Sequence, residues 1–202
     1  QEHVGFMSIW PAFIRGVWFD NVIACYILLI PLVAVSISAL FNYYGKILWN
    51  VTCIFFSLFY GIVLLVTAAN IPYFQYFFKI INSSVFNWFG YMNTTAGMVF
   101  GETSYYPPLI GFLLTLVLFI WLMRRLIRHF QRLLNTKNPS VFWLDRIYIF
   151  LTAGICIGLC LFGIRGRTGY NPIKVSAAYY CTDPFLNQLG ISPVFNLLSS
   201  TL

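Results

Sequence analysis

Few side chains in this sequence can do chemistry, and most of them are basic. Arg165, Arg167 and Lys174 follow the last long apolar run. Arginine grips phosphate with two parallel N–H donors, and lysine acts as a point charge. Tyr179, Tyr180, Asn187 and Gln188 come next along the chain and add hydroxyl and amide groups. These seven are candidates for holding a lipid headgroup. The plainer reading is arginines that snorkel to a membrane surface and amides that cap turns. A second basic group, Arg124, Arg125, Arg128, Arg132 and Lys137, alternates at helical spacing with Leu126, Ile127, Phe130, Leu133 and Leu134. That pattern predicts an amphipathic basic helix. It can attract anionic phospholipid, at about 1 kcal/mol per basic residue near such a surface, or simply set topology.

Catalysis and metal binding lack raw material. The chain holds three Asp, two Glu and two His, widely separated. A metal site needs such ligands clustered, and a nucleophile needs an adjacent base. No catalytic residue and no metal ligand is therefore assigned, and the chain by itself is expected to be inactive. Of the five cysteines, Cys25, Cys53, Cys156 and Cys160 lie inside apolar runs, where Cys behaves as a small hydrophobe. Cys156 and Cys160 share a helix face without a His or carboxylate partner. Cys181 stands alone, so no disulfide framework is indicated. Asp20 reads as an interfacial cap, an ion pair with Arg15, or a contact to a later segment.

The elements that must position these groups belong in lipid. Hydrophobic residues make up 60% of the 202, and charged residues only 8%, against roughly 25% charged in soluble domains. Four apolar runs approach or reach the ~20 residues that span a bilayer: 21–41, 48–69, 107–123 and 147–164. The expected fold is an all-α polytopic transmembrane helix bundle of about four spans, with interfacial helices. Pro31 should kink the first span. Residues 1–20 read as an interfacial approach, 73–81 as an amphipathic extension, and 82–106 as short helices on the membrane surface. Gly154 and Gly158 form a small-xxx-small pair expected to pack within the bundle. Sequons at Asn50, Asn82 and Asn93 read better as caps and turns. Residues 165–202 read as an ordered connection lying on the membrane.

The loop from Arg124 to Arg146 holds six Lys/Arg against Asp145 alone. Positive charge marks the cytoplasmic side, so residues 42–46 are cytoplasmic too, and 1–20, 70–106 and 165–202 lie outside. Both ends of this stretch are then extracytoplasmic, which implies an earlier span and five in all. A channel or transporter is disfavoured, because no span carries a central acid or base.

The stretch Gly166-Arg167-Thr168-Gly169-Tyr170-Asn171-Pro172-Ile173, then Ala177-Ala178-Tyr179-Tyr180, then 185–197, resembles the segment after the last transmembrane helix of lipoteichoic acid synthase-like proteins. These belong to the alkaline phosphatase/sulfatase superfamily. Ser192 stands before Pro193 where Asn is common. Gly16-Val17-Trp18-Phe19-Asp20 resembles a second family step, with Trp18 where Arg is frequent. The resemblance implies a longer parent in the bacterial cytoplasmic membrane. A downstream extracytoplasmic domain with a Thr or Ser nucleophile and a divalent metal such as manganese would transfer a phosphoglycerol or phosphoethanolamine-type group, or hydrolyse an ester. This chain would then anchor that domain and present lipid to it. The alternative is a non-enzymatic lipid-binding or lipid-transport module. In either case the partners are membrane lipids, anionic phospholipid above all, and not nucleic acid.

This topology predicts that reagents applied from opposite sides label a cysteine placed at position 1 and one placed at 128. Labelling of both from the same side overturns it.

Overall fold

A computed structural model describes residues 6–43, 45–91, 97, 101–135 and 143–201. The described residues form an all-α bundle with no strand. Four helices carry it: α1 (Phe6–Leu40), α2 (Lys46–Phe77), α3 (Tyr106–Asn135) and α4 (Trp143–Arg165). All four are long and apolar enough to cross a membrane. At 1.5 Å per residue, α1 to α3 run about 45–52 Å, well beyond the ~30 Å hydrocarbon core. Their excess length must extend into the headgroup layer or past it.

The helices pair as α1 with α4 and α2 with α3, and α1 meets α2 between the pairs. Tyr60 of α2 faces Phe119 of α3, with ring centroids 5.1 Å apart. Much of the apolar surface along the spans stays exposed, as on Ile54, Leu114 and Leu159. Lipid solvates such side chains as well as a neighbouring helix would. Thr67, Thr115 and Thr152 turn their hydroxyls onto the carbonyls of Val63, Gly111 and Tyr148, one turn back. That bond lets a polar residue sit in an apolar helix without an unsatisfied donor.

Three expectations need correction. Residues 6–20 do not form an element separate from the first span: α1 runs unbroken from Phe6 through Pro11 and Pro31 to Leu40. Gly154 and Gly158 face open space. Helix α4 packs through another stripe, Ala153, Ile157, Cys160 and Ile164. The close approach occurs at Gly163 instead, against Cys25 of α1. Arg15 pairs with the carbonyl of Ala177, and no ion pair to Asp20 forms.

The best-buried part of the molecule lies at one end. Residues 166–201 fold back over α1 and α2 as a cap. The cap contains a 3-10 turn (Val175–Ala178), α5 (Pro184–Leu189) and α6 (Pro193–Thr201). Phe19, Val22, Ile80, Ile81, Ile173, Ala178 and Ile191 are buried together there. Ile23, Ile27 and Val194 continue the core towards the spans. The αL conformation of Phe78 (φ 53°) turns the chain sharply after α2. Ile80 and Ile81 are buried immediately beyond that turn.

Gly166 makes the turn from α4 into the cap. Its φ of +71° is left-handed, and a methyl group there would sit 2.7 Å from Ile173 Cγ2 and 3.0 Å from Val22 Cγ2. Left-handed backbone alone costs a non-glycine residue about 1–2 kcal/mol. Gly166→Ala is expected to lower the thermal midpoint in detergent by more than Gly154→Ala, whose added methyl meets open space. Equal effects would show that the cap is not docked this way.

Candidate functional site: the cap and the groove beside it

The cap is held to α1 by one helix face. Ala12, Arg15, Phe19 and Val22 recur at spacings of three and four, and Ala12, Phe19 and Val22 are almost wholly buried. Arg15 Nε donates to the Ala177 carbonyl at 3.0 Å. The Arg15 guanidinium lies 4.6 Å from the centroid of the Tyr180 ring. The Trp18 indole N–H donates to the carbonyl of Gly166. Phe19 packs on Phe195 of α6, with centroids 4.7 Å apart. Gly190 lets the end of α5 approach Ala12, whose Cα and carbonyl would lie 3.4 Å from an added methyl.

Asparagines tie the rest together. Asn70 Oδ1 accepts from the Ile81 N–H, and Asn196 Nδ2 donates to the Ile81 carbonyl, both at 2.9 Å. Ser200 Oγ accepts from the Ser83 N–H at 2.9 Å. The 3-10 helix Ser83–Tyr91 is thereby joined to α6. Asn82 Oδ1 accepts from both the N–H and the hydroxyl of Ser84, so this sequon is occupied in a turn. Asn50 lies inside α2, and the Asn93 sequon lies outside the described residues.

The seven headgroup candidates divide into two sets. Asn187 is buried; its Oδ1 accepts from the N–H groups of Tyr180 and Cys181, and its Nδ2 donates to the Cys181 carbonyl. Tyr180 is half-buried beneath Arg15. Burial pushes its phenol above the ordinary value, and neighbouring Cys181 adds to the rise, against Arg15 and a hydrogen bond at Ala12. Gln188 Oε1 is buried without a hydrogen-bond partner, as is Ser192 Oγ. Arg165, Arg167, Lys174 and Tyr179 are exposed. Arg165 Nη2 donates to the Tyr170 carbonyl at 2.7 Å, which closes the 165–173 turn. The guanidinium of Arg167 lies against Gly169. Both arginines therefore sit on a single turn, next to the indole of Trp18.

Arg124, Arg125, Arg128 and Arg132 are exposed on the far part of α3, and Lys137 lies outside the described residues. All five cysteines are free thiols, and the Cys160 thiol donates to the carbonyl of Cys25 between α4 and α1. Among the described residues, no three His, Cys, Asp or Glu side chains gather.

Sequence reasoning missed a groove. A cavity of about 890 Å³ opens between α2, the start of α3 and the 3-10 helix Ser83–Tyr91. Its walls include Ala69, Tyr73, Trp88, Tyr105 and Phe112, and among the described residues that line it Glu102 alone is charged. The volume falls within the ~300–1,000 Å³ of small-molecule sites. No single motif encodes it. The only cue was the aromatic richness of 73–91 and 105–112, which composition also explains as interfacial preference.

Asn187→Ala should remove the acceptor of two backbone N–H groups and cost about 1–3 kcal/mol. Tyr180 supplies a pH test. Its raised pKa means that its contribution is complete below the unfolded value near 10 and is lost as pH rises through the higher folded value. Tyr180→Phe is expected to remove that alkaline step from the stability profile; a step that persists unchanged would assign it to another group.

No protein-family model matches the chain, and neither the curated proteins nor the solved structures compared with it include a match.

Proposed function

We infer that this chain is the membrane domain of a lipoteichoic acid synthase-like or sulfatase-like enzyme. In this reading it anchors an extracytoplasmic metal-dependent domain and presents lipid to it. The metal, a divalent ion such as manganese, belongs to that downstream domain. The reaction is transfer of a phosphoglycerol or phosphoethanolamine-type group, or hydrolysis of a related ester. The cap and both ends of residues 1–202 lie outside a bacterial cytoplasmic membrane.

One observation carries the reading. The two stretches that resemble the family, 16–20 and 166–197, lie far apart in sequence yet pack on each other. Trp18 bonds to Gly166, and Phe19 lies among Ile173, Ala178, Ile191 and Phe195. Two motifs that meet in space are better explained as one unit than as two coincidences. The exposed Arg165 and Arg167 on this unit supply phosphate-gripping groups.

The groove favours a second reading, a non-enzymatic lipid-binding or lipid-transport module. It is a largely apolar cavity lined by residues of this chain, and lipid binding there needs no downstream chemistry.

Membranes containing the intact gene product separate the two. With phosphatidylglycerol as substrate, the enzyme reading expects diacylglycerol release that a chelator abolishes and manganese restores. Filling the groove with Ala69→Trp should lower that release by roughly tenfold or more, since a misplaced substrate loses its reacting geometry. Lipid bound in the groove without metal-dependent release supports the carrier and overturns the enzyme.

A further inference from the structure

Helix α3 carries a second surface that neither reading uses. Trp121, Arg125, Arg128, His129 and Arg132 line a cleft of about 410 Å³. At 3.6 residues per turn, Trp121, Arg125, Arg128 and Arg132 fall on one stripe and His129 on its edge. Ile127, the buried residue of this stretch, lies roughly opposite, so the stripe faces away from the bundle. The arginines are partly pre-set. The Arg125 guanidinium lies 5.3 Å from the centroid of the Trp121 ring. Arg128 Nε donates to the Arg124 carbonyl at 3.2 Å, which fixes the side chain while leaving its two terminal nitrogens.

The charge of this cleft is uncompensated locally. Among the described residues none that lines it is acidic, and no Asp or Glu occurs between Glu102 and Asp145. Three guanidinium groups on one stripe match the oxygens of a phosphate, which accepts paired N–H bonds. Depth identifies the source. The apolar run 107–123 is about 25 Å long at 1.5 Å per residue, close to the ~30 Å of hydrocarbon. The cleft therefore opens where the hydrocarbon ends, and Trp121 is the residue type that seats at that border.

We propose that Trp121, Arg125, Arg128, His129 and Arg132 form a binding site for the phosphate headgroup of an anionic phospholipid at the membrane border. The site is local. Arg124 is equally charged and on the same helix, but it does not line the cleft. Trp121 supports Arg125 from the hydrocarbon side, and the three arginines share the phosphate oxygens. The acyl chains then run along the exposed apolar flank of α3, past Leu118 and Leu114.

The test is native mass spectrometry of the purified chain with equal amounts of phosphatidylglycerol and phosphatidylcholine. Removing three charges could disturb insertion, so the main variant keeps them: Arg125→Lys, Arg128→Lys and Arg132→Lys together. Lysine preserves the charge but not the paired N–H geometry. The wild-type chain is expected to retain one phosphatidylglycerol in preference, and the triple variant to lose that preference by roughly tenfold. The control, Arg124→Lys with Arg146→Lys, should keep it. A triple variant that keeps the full preference, or a control that loses as much, overturns the site in favour of diffuse charge. Displacement of the lipid by millimolar inorganic phosphate alone also overturns it, because the site would then read free phosphate.

Discussion

The structure depends on the docking of the cap onto one face of α1. Within lipid, helices gain little from hiding apolar surface, because acyl chains solvate it as well as a partner helix does. Association there rests on close packing and a few hydrogen bonds. At the ends of the bundle water returns, and burial again stabilises, at about 25 cal/mol per Å² of apolar surface. The buried side chains follow that division. Phe19, Val22, Ile173, Ala178 and Ile191 cluster beneath the cap, while the flanks of α2, α3 and α4 remain open. An irregular segment at this depth must also satisfy its own backbone. Asn70, Asn187 and Asn196 do so by bonding main-chain groups that no helix serves.

This arrangement constrains what the cap can recognise. Asn187 is saturated by backbone, and Tyr180 is committed to Arg15 and its surroundings. The groups still facing outward are Arg165, Arg167, Lys174 and Tyr179. Arg165 is braced by the carbonyl of Tyr170, which limits how far its guanidinium can swing. The groove lies on the α2–α3 side and the arginine turn on the α1–α4 side.

The architecture was legible because lipid imposes a simple code. Long uncharged runs mark spans. The start of α1 was not legible, because Phe6–Asp20 mixes Trp, Pro, Arg and Asp in a way that also fits a surface segment. Its helical face, Ala12, Arg15, Phe19 and Val22, is visible only once the cap that covers it is known. Gly154 and Gly158 misled for the opposite reason. A small-xxx-small spacing says that close approach is possible, not which face of the helix the neighbour uses. The polar residues of 165–188 stand out in the sequence because they follow a long apolar run. Their division into structural and exposed sets depends on chain reversal at Gly166, which no local pattern encodes.

The uneven burial has a consequence for how such a domain changes over evolutionary time. Positions facing acyl chains ask only for an apolar side chain of tolerable size, so exchanges among Leu, Ile, Val and Phe there carry little penalty. Positions under the cap must match partners on α1, on the turn after α2 and on α6 at once, and one change there disturbs several neighbours. Relatives of this chain should drift quickly along their spans and slowly over two short stretches that lie far apart in sequence. Kinship would then survive as two islands, near the start of the first helix and after the last.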